Sequence, residues 1–396
     1  MSVNYVHLPH SPQESATPHP FDLACAQAAR RFHSSIPEYA PTPLVSLPSL
    51  AAKTGVASIH VKDESYRFGL DAFKVLGGSY SIARKLGELL DIPVEDLSYE
   101  LLTSREIHNK TGTLTFVTAT DGNHGRGVAW TASRLGHQSV VYMPKGSAQE
   151  RLENIRRAGA KAQITDLNYD DAVRLANQKA EENGWIMVQD TAWEGYEDIP
   201  RWIMEGYLTL SLEAWEQLNG ITPTHLFLQA GVGAFAGSAA GFFSCVPESK
   251  PMITIVEPDK ADCLYRTARA NDGKLHPVTG DMDSMMAGLC CGEPCTIGWE
   301  VLRRKADYFI SMSDDIAALG MRILGNPLGS DPKIVSGESG AASMGFVTAL
   351  LTDKKLENLK NAMGINEHSR VLCVSTEGAT DRENYQKILA KGPVEL

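Results

Sequence analysis

The segment Leu114-Thr-Phe-Val-Thr-Ala-Thr-Asp-Gly-Asn-His-Gly-Arg-Gly127 decides the fold class, because a short apolar run leads through a glycine-rich loop into a helical pattern. The apolar run predicts a buried strand, and the helical pattern extends from Asn123 to Leu135. The same alternation recurs along most of the chain. It predicts an α/β protein with mostly parallel sheet, covered by helices on both faces.

Further apolar runs predict the other strands, at residues 58–62, 139–143, 162–165, 186–189, 225–229, 253–256, 308–311 and 371–375. The strand and helix series within residues 91–219 predicts a smaller α/β domain with its own sheet, which we expect to be mobile. Residues 21–90 and 220–396 then form a larger, discontinuous domain. Residues 1–20 are rich in His, Pro and Ser, lack the pattern of a secretory signal and predict a flexible N-terminus.

The composition favours a small-molecule partner. The net charge of −11 comes without a basic cluster, which disfavours binding to nucleic acid or to an anionic membrane surface. No apolar run is long enough for a transmembrane helix. Seven cysteines, an odd number, are expected of reduced thiols in the cytoplasm. Cys290-Cys291-Gly-Glu-Pro-Cys295 lacks the second cluster that a zinc site needs, so no metal is predicted, while a redox pairing of Cys263 with this cluster stays open.

Lys74 is a candidate nucleophile, because it lies between apolar neighbours in Phe68-Gly-Leu-Asp-Ala-Phe-Lys-Val-Leu-Gly-Gly78, where a helix is predicted to start. Desolvation lowers the pKa of a lysine, and its free amine can form a Schiff base with a carbonyl such as that of pyridoxal phosphate. The alternative is an ordinary lysine whose stem packs while its ammonium reaches water.

Polar and glycine-rich loops follow four predicted strands, where a parallel sheet binds its ligands. Asp121 and Asn123 either cap the next helix or bind a polar ligand. The loop Gly231-Val-Gly-Ala234 opens a helix and can present backbone N–H groups to a phosphate, although it can also be plain packing or a dinucleotide-like loop.

The other two junctions supply acids and hydroxyls. Asp190 lies beside aromatic residues and is a proton-exchanging carboxylate, a cap or a salt-bridged surface residue. Ser375 and Thr376 end the last predicted strand, and their hydroxyls can bond a neutral ring nitrogen. Glu338 lies where another helix is predicted to start, and capping is its alternative role.

Together these features resemble the diaminopropionate ammonia-lyases, which are fold type II (tryptophan synthase β-like) pyridoxal-phosphate enzymes. The resemblance runs from about Cys25 to Asp381 and covers the core motifs without a departure. Its most specific stretches are Lys62-Asp-Glu-Ser65, Arg67-Phe-Gly69, Ala72-Phe-Lys-Val-Leu-Gly-Gly78, Thr120-Asp-Gly-Asn-His-Gly-Arg-Gly-Val-Ala-Trp130, Tyr142-Met-Pro-Lys-Gly-Ser-Ala-Gln-Glu150, Gln189-Asp-Thr-Ala-Trp-Glu-Gly-Tyr196 and Val256-Glu-Pro-Asp-Lys-Ala-Asp-Cys263.

The resemblance implies a carbon–nitrogen lyase with two open twisted, mostly parallel sheets that converts D- and L-2,3-diaminopropionate to pyruvate and two ammonia. Lys74 would hold the cofactor and take the Cα proton of the L-isomer, Asp121 would serve the D-isomer, and Asp190 would bind or protonate the β-amino group. The implied cofactor-binding residues are Lys74, Asn123, Gly231, Val232, Gly233, Ala234, Glu338 and either Ser375 or Thr376. The family also suggests a homodimer.

The alternatives within the enzymes are a serine or threonine dehydratase and a β-replacement enzyme. Outside them, the chain can be a silent pyridoxal-phosphate carrier or a nucleotide-binding module that uses only the loop at residues 231–237. Comparing the turnover of diaminopropionate with that of serine distinguishes an ammonia-lyase from a dehydratase. Colourless protein that borohydride leaves unaltered would favour the nucleotide-binding module.

Overall fold

A computed structural model describes residues 1–10, 19–120, 122–247 and 250–396. The strands are β1 Val3–His7, β2 Leu44–Ser46, β3 Ser58–Asp63, β4 Thr115–Ala119, β5 Gln138–Met143, β6 Lys161–Ile164, β7 Ile186–Met187, β8 His225–Gln229, β9 Met252–Pro258, β10 Tyr308–Met312 and β11 Arg370–Ser375.

The helices are α1 Leu23–Ser34, α2 Pro48–Thr54, α3 Lys74–Leu89, α4 Tyr99–Leu102, α5 Arg105–Thr111, α6 Asn123–Arg134, α7 Gln149–Arg157, α8 Tyr169–Asn183, α9 Asp198–Gln217, α10 Ala234–Cys245, α11 Cys263–Ala270, α12 Thr296–Lys305, α13 Asp314–Gly325, α14 Ala342–Thr352, α15 Glu357–Ala362 and α16 Arg382–Leu389. Within the described ranges, no helix has the length and apolar character needed to cross a membrane.

The strands form two sheets. The larger has the order β1-β10-β9-β8-β11-β3-β2, in which the edge strands β1 and β2 are antiparallel and the others are parallel. The smaller, β6-β5-β4-β7, is entirely parallel. The predicted α/β class with two mostly parallel sheets is therefore confirmed. The smaller sheet uses strands only from residues 115–187, while the division of the chain into a mobile and a larger domain stays a prediction.

The N-terminus differs from the expected flexible segment. Val3–His7 form β1, which pairs antiparallel with β10 from Val3 opposite Met312 to His7 opposite Tyr308. Leu8 is buried next to this strand. Backbone pairing explains the difference, because β1 forms hydrogen bonds with the backbone groups on the outer edge of β10, which would otherwise be unpaired. Residues 11–18 of the predicted segment lie outside the described ranges.

Close contacts between helices hold the start of α3. A Cβ atom on Gly206 of α9 would lie 2.5 Å from the backbone oxygen of Leu76, and one on Gly127 of α6 would lie 2.7 Å from Cα of Val75. Real side chains do not fit at these distances, so glycine is required at both positions. The two glycines bring α6 and α9 against the first turn of α3, where Lys74 lies.

A buried network of four charges joins β3 to α9. Lys62 Nζ donates to Glu213 Oε2 at 2.7 Å, and Arg67 Nη2 lies 2.8 Å from both Glu213 Oε2 and Glu64 Oε1. All four side chains are at most 1% exposed. Burial raises the pKa of Glu213, but Arg67 and Lys62 outweigh it and lower that pKa to about 2. The network fixes the chain just before the segment that carries Lys74.

Candidate active site

One cavity is lined by residues of the loops that follow β4, β7, β8 and β11. Of the residues predicted from sequence, Lys74, Asn123, Asp190, Gly231, Val232, Gly233, Ala234 and Thr376 line it. The strands that lead into these loops are far apart in the chain, and only the parallel pairing of their sheets places their carboxyl ends together.

Lys74 and Asp190 form an ion pair inside this cavity. Lys74 Nζ donates to Asp190 Oδ2 at 2.7 Å, and the two side chains are 19% and 5% exposed. Burial raises the pKa of Asp190, but the Lys74 ammonium outweighs it, so this pKa lies below its usual value. Asp190 is therefore held as a carboxylate next to a primary amine.

Two further side chains donate hydrogen bonds to Asp190. Tyr169 donates its hydroxyl to Asp190 Oδ1 at 3.3 Å, and Gln189 Nε2 donates to the same oxygen at 3.2 Å. His124 Nε2 lies 2.8 Å from the carbonyl oxygen of Val188, which can only accept, so Nε2 carries a proton. His124 Nδ1 lies 3.9 Å from Asp190 Oδ2, which is beyond hydrogen-bond distance. The carboxylate has a fixed direction before any ligand arrives.

The glycine loop meets the start of α10 at the cavity wall. Gly233 has φ of +94°, a conformation that glycine adopts without strain, and no side chain caps the helix. A Cβ atom on Gly231 would lie 3.2 Å from Cα of Leu289. The loop thus leaves backbone N–H groups at a helix N-terminus open to the cavity, which is the arrangement that binds a phosphate.

Hydroxyl and amide groups form the facing wall. Thr376 Oγ1 accepts a hydrogen bond from Gln229 Nε2 at 3.0 Å, which leaves the threonine O–H as a donor. Asn123 Nδ2 donates to Glu377 Oε2 at 2.5 Å. The orientation of both groups is therefore set by a neighbouring side chain.

Two predicted site residues that the structure describes do not line this cavity. Ser375 donates its hydroxyl to Ser336 Oγ at 2.8 Å and is buried away from the cavity, because side chains alternate along β11. Glu338 lines a neighbouring cavity instead. Asp121 lies outside the described residues.

Several residues of the site were not predicted from sequence. Gln229 and Glu377 lie at or just after strand ends, so the strand-end rule could have found them. Tyr169 and Tyr207 lie on helices, and an aromatic residue on a helix is typical of ordinary packing. Cys263, which was open to a redox pairing, is a buried free thiol whose Sγ lies 3.7 Å from the backbone oxygen of Gly231.

The chain belongs to the pyridoxal-phosphate dependent enzyme family, whose model matches residues 36–377. It is 52% identical over 366 residues to the diaminopropionate ammonia-lyase of Salmonella typhimurium, and the match covers 91% of each chain. The crystal structure of holo diaminopropionate ammonia-lyase from Escherichia coli superposes with a TM-score of 0.90 at 48% identity, covering 99% of this chain and 97% of that one. The structure of that enzyme in complex with D-serine gives a TM-score of 0.89 at 48% identity and the same coverage.

These findings confirm the predicted fold type II architecture, the resemblance to diaminopropionate ammonia-lyases and the pyridoxal phosphate cofactor. The cavity fits that cofactor on its own geometry. It offers a primary amine at Lys74, an uncapped helix N-terminus at the glycine loop and a hydroxyl donor at Thr376. Tyr207 adds a buried hydroxyl that has no hydrogen-bond partner among the described residues.

Proposed function

We propose that this chain is a carbon–nitrogen lyase that acts on D- and L-2,3-diaminopropionate. Loss of the Cα proton and of the β-amino group, followed by addition of water and loss of the α-amino group, gives pyruvate and two ammonia. The observation that carries the proposal is the contact of 2.7 Å between Lys74 Nζ and Asp190 Oδ2 in the cavity of the glycine loop. An amine and a cation-binding carboxylate are the two groups that this elimination needs.

The cavity residues divide into a phosphate end and a ring end. Backbone N–H groups of residues 231–234 would bind the cofactor phosphate, and Lys74 would hold its carbonyl carbon. Thr376 would donate its hydroxyl to the ring nitrogen, and Asn123 its amide to the phenolic oxygen. When bound, pyridoxal phosphate withdraws electrons from the bonds of an amino acid's Cα atom.

A hydroxyl partner suits elimination. Because the Thr376 hydroxyl would donate a hydrogen bond without transferring its proton, the ring nitrogen would stay uncharged and the ring would withdraw electrons less strongly. That is sufficient where a leaving group departs readily, as in β-elimination. Ser375 and Glu338 stay sequence predictions of cofactor contacts, since neither lines this cavity.

The acid and base groups take one role each. Lys74 would accept the Cα proton of the L-isomer, and Asp121, by its place in the matched motif, that of the D-isomer. Asp190, held as a carboxylate, would bind the β-ammonium group and direct it to leave as ammonia. A carboxylate at the β-position favours a substrate with a β-ammonium over serine or threonine, which present a neutral hydroxyl there.

Pyruvate formation from each diaminopropionate enantiomer and from serine tests this proposal. Wild type should favour both enantiomers over serine, and Lys74→Ala should lose all three activities. Asp121→Asn should lose more activity on the D- than on the L-isomer, whereas Asp171→Asn, at an exposed ion pair on α8, should match wild type. Equal losses on both enantiomers in Asp121→Asn would overturn the division of roles.

The assembly and location are also proposals. The resemblance supports a homodimer, and the odd number of cysteines supports the cytoplasm. Light scattering of the holoenzyme at several concentrations would give the mass of the assembly, and a monomer throughout would refute the dimer.

A further inference from the structure

A second cavity of about 290 Å³ adjoins the one that contains Lys74. Tyr169 lines both, and its hydroxyl lies 3.3 Å from Asp190. The walls of the second cavity come from residues 144–148 after β5, residues 281–287 before α12, and the start of α16 at Asp381 and Asn384. The two cavities therefore meet at Tyr169, next to Asp190.

The second cavity has an excess of acidic groups. Its lining includes the carboxylates of Asp281, Asp283, Glu338 and Asp381 against the two cations of Lys145 and Arg151. Lys145 Nζ is bonded to Asp281 Oδ1 at 2.5 Å. This balance favours a cation over an anion such as pyruvate.

Glu338 has one oxygen with a partner and one without. Its Oε1 accepts from Asn384 Nδ2 at 2.5 Å, while Oε2 is buried and has no hydrogen-bond partner among the residues that the structure describes. The residue is 2% exposed. Burial, aided by the nearby Glu377, raises the pKa of Glu338. A buried acceptor without a donor is costly, and a bound ligand that donates to it accounts for its presence.

We propose that Glu338 Oε2 binds an ammonium group, R–NH3⁺ or NH4⁺, in the second cavity. This inference rests on the proposed function, because both 2,3-diaminopropionate and the ammonia released from it carry such a group. An R–NH3⁺ group has three N–H donors and NH4⁺ has four, and neither has an acceptor, so either satisfies a lone carboxylate oxygen without creating a new unpaired acceptor. Glu338 and Asp190 then line the two cavities that share Tyr169, and their carboxylates bind the same chemical group.

The test compares Glu338→Gln, which keeps an acceptor for Asn384 but removes the charge, with Glu383→Gln. Glu383 is 79% exposed on the same helix as Asn384 and is bonded to Lys387, so its replacement removes the same charge outside the cavity. Each holoenzyme is assayed for KM on diaminopropionate and serine, and for inhibition by ammonium chloride against sodium chloride at equal ionic strength.

Two results support the proposal and identify the source of the ammonium. If the group belongs to the substrate, Glu338→Gln raises KM for diaminopropionate by about tenfold with a smaller change for serine, as expected on losing a hydrogen bond to a charged group. If it is released ammonium, the inhibition constant of ammonium rises by about tenfold while KM changes little. Glu383→Gln should match wild type in both.

The proposal is overturned if Glu338→Gln matches Glu383→Gln in all constants. Glu338→Asp keeps the charge and should lie between Gln and wild type. If the Gln and Asp variants both fail to retain pyridoxal phosphate, read from its absorbance, Glu338 supports the cofactor and the proposal is also overturned. Wild type that does not convert diaminopropionate refutes the proposed function instead, and the ammonium assay on serine still reports on Glu338.

Discussion

Replacement of Glu213 by glutamine should destabilise the fold without touching the cavity of Lys74. Glu213 accepts from Lys62 Nζ at 2.7 Å and from Arg67 Nη2 at 2.8 Å, and all three side chains are at most 1% exposed. With glutamine, these two buried cations share the single carboxylate of Glu64. Removal of one partner from a buried ion pair costs about 3–5 kcal/mol.

The pKa of Glu213 gives a second estimate of the same quantity. Its value is lowered from 4.5 to about 2 in the folded protein, which corresponds to about 3 kcal/mol of stability when the carboxylate is ionised. Because the folded pKa is depressed, this contribution is complete above the unfolded value of 4.5 and is lost as the pH falls towards about 2. The Gln variant should therefore lose less stability than wild type on acidification through this range.

Urea-induced unfolding of the cofactor-free protein, followed by tryptophan fluorescence, measures the difference. Glu216→Gln is the control, since Glu216 lies on the same helix and its side chain is 47% exposed and paired with Arg30. Exposed ion pairs contribute about 0–1 kcal/mol, so loss of this charge should change stability by less than about 1 kcal/mol. Equal losses in the two variants, or a Glu213→Gln protein as stable as wild type, would refute the assignment of the network.

Three further predictions concern the cavity. Asp190→Asn removes the ionic partner of Lys74 and should reduce kcat/KM on diaminopropionate by about 10–100-fold, and by less on serine, in the pyruvate assay. Tyr207→Phe removes a buried hydroxyl that has no hydrogen-bond partner among the described residues, so it should stabilise the cofactor-free protein by about 1 kcal/mol in urea-induced unfolding. The same variant should bind pyridoxal phosphate more weakly in an absorbance titration. Thr376→Val should weaken pyridoxal phosphate binding more than Ser375→Ala, and the reverse order would assign the ring contact to Ser375.

The strands could be predicted from the sequence where the local pattern of apolar residues matches their burial in the folded protein. The strands from β3 to β11 each coincide with a predicted apolar run, and the inner strands of the larger sheet are apolar because both of their faces are covered. β1 was missed because an exposed edge strand has no such run, and only Tyr308–Met312 of β10, far along the chain, specifies its pairing. Edge strands of this kind depend on a partner that the local sequence does not contain.

The loops that form the site could be predicted from the sequence, but the arrangement of their side chains could not. Strand ends indicated Asp190, the glycine loop and Thr376, since ligands collect there in parallel sheets. The choice between Ser375 and Thr376 depends on which side of β11 faces the cavity, and adjacent residues give no signal for that. Glu338 lies two residues from Ser336 in an apparent capping motif, and only the folded chain reveals that one of its oxygens is left without a donor.

The contact between Lys74 and Asp190 bears on the order of events at the site. A protonated Lys74 already satisfies Asp190, so a second ammonium has to compete with it for the same oxygen. If Lys74 held the cofactor's carbonyl carbon, it would no longer offer Asp190 a full ammonium, and the effect of burial on the pKa of Asp190, which is to raise it, would be opposed less strongly. A β-ammonium brought to the cavity would then restore the balance of charge. Asp190 would then recognise the β-ammonium group of a diamino acid chiefly while Lys74 holds the cofactor, before the Lys74 amine is freed to accept the Cα proton.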